Sequence, residues 1–126
     1  MSQSTTWEIN GVSFELDLTD ADDLERYENA LEKLREAEHN IKKDGKESEF
    51  IRAFCKMLAD FFDAVLGEGA SAKIFEGKKT SVAVYLETYD NFLDFANTQK
   101  AGIKERFAKY NPNRQQRRVA AKKKKW

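Results

Sequence analysis

The first apolar positions of the chain alternate with polar ones. Thr5-Thr6-Trp7-Glu8-Ile9 and Val12-Ser13-Phe14-Glu15-Leu16 are two period-2 runs of β-prone residues, and Asn10-Gly11 between them is the turn pair that a two-residue hairpin favours. The pattern predicts a β-hairpin over about residues 5–16, with Trp7, Ile9, Val12, Phe14 and Leu16 on its buried face. An isolated two-stranded hairpin is marginal in water, so this face must rest on the helices that come next in the chain.

From residue 19 the apolar period becomes helical. Thr19, with Asp22 three residues on, predicts an N-cap, and Leu24, Tyr27, Leu31, Leu34 and Ile41 then recur at near-heptad spacing, Glu38 filling one apolar slot, until Lys42-Lys43-Asp44-Gly45. Ser48 predicts the cap of a second helix. Its apolar residues, from Phe50 and Ile51 through Phe54, Cys55, Met57, Leu58, Phe61, Phe62, Val65 and Leu66, cover about half the circumference. So broad a face needs at least two neighbours: this helix is central in the fold, or it presents part of its surface to a partner. Gly67-Glu68-Gly69 stops it, and a short helix over residues 70–75 ends at Gly77. A last helix begins at Thr80 or Ser81 with a stripe of Val82, Tyr85, Leu86, Tyr89, Phe92, Leu93 and Ala96, leaving Val84 and Phe95 as a separate apolar spot. The single proline, Pro112, divides residues 100–110 from residues 113–126. The expected fold class is mainly α: three to four helices in one compact domain, a small N-terminal β-hairpin and a basic C-terminal tail.

Composition narrows the class. With 126 residues, 40% hydrophobic, there is chain enough for one core and too much apolar content for a disordered polypeptide. No apolar run approaches the ~20 residues of a membrane span, and the polar, acidic N-terminus does not read as a signal peptide, so a cytoplasmic protein is expected. The lone Cys55 excludes an internal disulfide. Charge alters the picture more. The formal net charge is zero, yet residues 1–99 hold 11 basic and 21 acidic side chains, a balance of −10, while residues 100–126 hold 11 basic ones against Glu105 alone. An acidic helical body, residues 1–99, thus precedes a basic extension, residues 100–126.

Candidate chemistry is sparse. His39 with Glu36 and Glu32 gives one imidazole and solvated carboxylates, short of a metal-binding set. Asp17, Asp20, Asp22 and Asp23 lack the glycine and terminal glutamate of a calcium loop and suit a helix start better. Cys55 shares its helical face with Ile51, Leu58 and Phe62 and reads as a core thiol. The glycines at 67, 69 and 77 do not have P-loop spacing. Neither catalysis nor a cofactor nor a metal is expected. The basic tail carries Arg114, Arg117, Arg118, Lys122, Lys123, Lys124 and Lys125. It suits phosphate neutralisation on nucleic acid or contact with an acidic surface; the acidic body counts against a polyanion partner.

Several segments together resemble the siphophage tail assembly chaperones of phages infecting Gram-positive bacteria, which are encoded between the tail tube and tape measure genes. They are Ile9-Asn10-Gly11-Val12-Ser13-Phe14-Glu15-Leu16-Asp17; Asp20-Ala21-Asp22-Asp23-Leu24-Glu25-Arg26-Tyr27-Glu28; Phe61-Phe62-Asp63-Ala64-Val65-Leu66-Gly67-Glu68-Gly69; Ala72-Lys73-Ile74-Phe75-Glu76-Gly77; and Asn113-Arg114-Gln115-Gln116-Arg117-Arg118. The resemblance implies a non-enzymatic protein of the host cytoplasm that coats the helical tape measure protein, recruits tail tube subunits around it and leaves before the virion is complete. It also implies a longer form made by programmed frameshifting, and Lys122 to Lys125 can be encoded by an A-rich run of the kind on which ribosomes slip. In that setting Phe54, Leu58, Phe61 and Phe62 are candidate client or self-association residues, or else core, and Val84 with Phe95 a second candidate surface. A small nucleic-acid-binding protein and a structural component of the virion tail are the competing expectations.

Overall fold

The structure is a computed structural model that describes residues 5–110. It is mainly helical, with a small N-terminal antiparallel hairpin. Strand β1 (Thr6–Ile9) pairs with β2 (Val12–Glu15), Trp7 opposite Phe14 and Ile9 opposite Val12, in the register the alternation predicts. Asn10 and Gly11 have φ of 50° and 82°, so both central turn residues are left-handed, the requirement of the turn whose twist matches the strands.

Helix α1 (Ala21–Asn40) starts one residue later than Thr19 predicts: Asp20 is the N-cap, its carboxylate accepting from the Asp23 N–H at 3.0 Å. Thr19 is instead bound to Asp17, donating both its N–H and its hydroxyl to the carboxylate. Helix α2 (Glu47–Leu66) differs in the opposite direction, starting ahead of Ser48, with Lys46 as N-cap and no side-chain cap bond. Helix α3 (Ala70–Ile74) is short, and α4 (Val82–Tyr110) runs for 29 residues. The change of charge at Lys100 therefore falls inside a continuous helix and not at an element boundary.

Helix α2 lies at the centre, in contact with α1, α3 and α4, which is the demand its broad apolar face makes. Its partner α1 folds back on it, so that Arg26 near the start of α1 donates its Nε–H to the Val65 carbonyl near the end of α2 at 2.9 Å. The hairpin closes the core by one side chain above all. Trp7 stacks on Phe62 (centroids 5.7 Å apart, planes 9° apart), meets Phe92 edge-on at 5.1 Å and donates its indole N–H to Asn91 at 2.9 Å. Leu16, Leu18, Phe62, Ile74 and Phe92 complete a core that joins the hairpin to α2, α3 and α4. At the far end of the hairpin, Asn10 donates to the Ile74 carbonyl at 3.0 Å and pins the turn to α3.

Candidate functional site

The displayed surface is not where the apolar face of α2 suggests. Leu58, Phe61 and Phe62 are core, Phe62 with no exposure at all, so they are not offered to a partner in this fold. Phe61 and Phe62 pack edge-on against each other and against Phe92. Phe54 is half-buried beside Phe50, ring centroids 6.0 Å apart. Val84 and Phe95 do not form a free spot either: both are half-buried against the core, and Phe95 lies 6.2 Å from Phe92. The reason is a rotation of α4. Its buried line is Thr88, Phe92, Ala96 and Gln99, roughly 60° from the stripe read off the apolar residues alone, and this brings Val84 and Phe95 to one flank of the interface. Two polar residues hid the true face. Thr88 satisfies its hydroxyl on the Val84 carbonyl, and Gln99 accepts from the Leu18 N–H and donates to the Leu16 carbonyl, each at 2.8 Å.

Beyond Gln99 the same line continues as Ile103, Phe107 and Tyr110, at the i, i+4, i+7 spacing of one helical face. Gln99 holds α4 to the segment joining β2 to α1, and Lys100 lies over the Tyr27 ring, 5.9 Å from its centroid. From there residues 100–110 extend as an arm. Ile103 still packs on the core, whereas Phe107 is 63% and Tyr110 79% exposed. Lys100, Lys104, Arg106 and Lys109, all exposed, surround this face with Glu105 as the one acid. Reading residues 100–126 by charge alone overlooked these apolar positions; the spacing from Phe92 through Tyr110 was the available signal. Arg114, Arg117, Arg118, Lys122, Lys123, Lys124 and Lys125 lie outside the described residues.

The opposite character dominates α1. Asp22, Glu25, Glu28, Glu32 and Glu36 are exposed along one side of it, with His39 exposed in its last turn. Among the described residues no group of three or more His, Cys, Asp or Glu is placed to hold a metal ion. Burial pushes the Cys55 thiol up, away from the thiolate a nucleophile needs. Burial also raises the phenols of Tyr27, Tyr85 and Tyr89. Asp17 is held below its usual value by the Thr19 hydroxyl and N–H, a local turn contact. These shifts belong to packing and turn formation.

Residues 10–121 match the model of a family of unknown function, DUF6673. The chain belongs to this family. The family match takes in the hairpin turn, the four helices and part of the basic segment, and stops short of the lysine run at 122–125. Neither a curated protein nor a solved structure matches significantly.

Proposed function

We propose that the protein is a siphophage tail assembly chaperone: a non-enzymatic factor that binds and solubilises the tape measure protein and recruits tail tube subunits in the host cytoplasm, with a frameshifted longer form. The observation that carries this reading is the arm of α4. A protein that holds an aggregation-prone helical client must show apolar surface and stay soluble, and here exposed Phe107 and Tyr110 sit among cations on a body whose residues 1–99 carry −10. The resemblance of its fold-shaping segments to that group supplies the client. Co-expression with the tape measure protein of the same phage is expected to raise the soluble fraction of that protein; an unchanged insoluble fraction overturns the reading.

One observation favours a second reading. Aromatic and cationic side chains alternate on the arm, a pairing also suited to single-stranded nucleic acid. That reading predicts binding that falls with salt at a log–log slope of about −0.7 per phosphate contacted on a single strand, and the acidic face of α1 opposes it. A structural role in the virion is separated from the chaperone by mass spectrometry of purified particles, from which a chaperone is absent.

A further inference from the structure

We infer that the open edge of β2 is a site of strand addition for an extended segment of another protein in which apolar and basic residues alternate. The inference goes beyond the chaperone reading and does not rest on it.

The phase of the hairpin ladder exposes this edge. Leu16 donates its N–H to the Thr5 carbonyl at 2.8 Å, so Thr5 and Leu16 form a hydrogen-bonded pair. Bonded and non-bonded pairs alternate along an antiparallel ladder, which makes Trp7 with Phe14 and Ile9 with Val12 the other bonded pairs. Ser13 and Glu15 lie between them and turn their backbone N–H and C=O groups away from β1. The sheet has no third strand, and among the described residues neither of these backbones has a bond outside the hairpin. It is β1 that meets α4, with Trp7 bound to Asn91. The β2 side opens instead on a cavity of about 330 Å³, lined by Val12, Phe14, Leu66 and Ala70 together with Glu68 and Lys73.

An unpaired edge beside a cavity supplies both parts of strand addition, main-chain bonds for affinity and a pocket for alternate side chains. An antiparallel strand laid on β2 bonds Ser13 and Glu15 and sets one residue opposite half-buried Phe14. The side chain of that residue shares the inner side of the hairpin with Phe14, where the cavity lies. Its two neighbours in the added strand stand on the outer side, beside exposed Ser13 and Glu15. Charge then selects these neighbours. Residues 5–25 hold seven acids, Glu8 and Glu15 of the hairpin among them, and no Lys or Arg. A strand with Lys or Arg on its outer side gains a cross-strand pair with Glu15, whereas Glu or Asp there opposes like charges. A second copy offering its own β2 brings the same acids and no base.

The test uses the full chain and labelled peptides of about nine residues, a usual strand length, in which Lys and Val alternate. Fluorescence anisotropy is expected to show the Lys/Val peptide binding at least about tenfold tighter than a Glu/Val one. Methylating the backbone amides of its Lys residues, which face β2 in this register, is expected to weaken binding by about tenfold or more. Methylating those of its Val residues, which face away, is expected to leave binding within about twofold. Both methylated peptides keep their charge, so equal affinity for the two marks adsorption to the acidic surface and overturns the inference. Ser13→Pro removes an N–H that the hairpin does not use, and is expected to weaken the peptide by about tenfold with circular dichroism unchanged. Unchanged affinity in that variant overturns the inference; if the variant fails to fold, the methylated pair decides alone. Equal affinity for the Glu/Val peptide also overturns it, as does no binding of the Lys/Val peptide, the result when another part of the chain holds the edge. So does a dimer in sedimentation that Ser13→Pro returns to monomer, which assigns the edge to a second copy.

Discussion

Gln99 is the residue on which the geometry of α4 turns. It is 3% exposed, and its amide closes two hydrogen bonds to the backbone on either side of Asp17. Gln99→Ala leaves a buried N–H and a carbonyl without that partner, and the expected loss is about 2–3 kcal/mol by urea denaturation. Gln99→Glu replaces the donor with a carboxylate facing the Leu16 carbonyl. Its folded pKa must rise, so its stability is expected to be highest at low pH and to fall as the group ionises, opposite to the trend of a salt-bridged acid. The weak acids in and against the wild-type core have the same sign. Unfolded Cys55 ionises near 9.0 and Tyr27, Tyr85 and Tyr89 near 10.0, and all four are raised in the fold, mainly by burial. Their neutral forms therefore contribute fully below pH 9 and less as pH climbs through 9.0 to 10.0 and above. Urea midpoints measured from about pH 8 to 10.5 are expected to decline, and Tyr85→Phe is expected to flatten the decline.

At the scale of elements, the hairpin and the short helix are each held by a local device that packing then uses. Asn10 and Gly11 must both take positive φ to bring Trp7 opposite Phe14. A Cβ at Gly11 meets nothing within 4 Å, so the cost of Gly11→Val is one of backbone conformation, about 1–2 kcal/mol for a side chain forced into the left-handed region. Equilibrium denaturation with tryptophan fluorescence, reporting through buried Trp7, measures it. Helix α3 begins at left-handed Gly69, and Asp63 from α2 accepts from both the N–H and the hydroxyl of Ser71, at 2.8 and 3.1 Å. Asp63→Ala is expected to cost about 1 kcal/mol, the usual worth of a cap. That loss loosens Ile74 and Phe75, and through Phe75 the ring of Tyr85 stacked on it at 3.8 Å.

Over the whole molecule, stability and proposed binding are carried by different parts of one helix. Residues 82–99 of α4 bury Phe92 and Ala96 at no exposure, whereas Phe107 and Tyr110 lie mostly in solvent. The combined Phe107→Ala and Tyr110→Ala variant is therefore expected to keep its unfolding free energy within about 0.5 kcal/mol of wild type, while Phe92→Ala is expected to lose about 3–5 kcal/mol. Thermal denaturation of both separates the two regions. Charge is divided along the same line: exposed acids on α1, exposed cations on the arm.

The fold class and the hairpin register were legible because both rest on local signals. Asn10-Gly11 permits one turn, and alternation fixes which side chains face inward. The breadth of the α2 face likewise announced a helix with several neighbours. Caps were less legible, because Thr19 or Asp20, and Ser48 or Lys46, compete within a residue or two of each other and the winner is set by contacts such as Asp17 with Thr19. What sequence could not settle was which apolar residues are spent inside. Leu58, Phe61 and Phe62 are indistinguishable by type from a displayed patch until Trp7 and Phe92 are packed on them. The rotation of α4 depends on Gln99 finding the Leu16 carbonyl and Leu18 N–H, residues more than eighty positions away in the chain. Local spacing determines elements and their apolar lines; only the meeting of distant segments decides where along such a line burial stops, and here it stops short of Phe107.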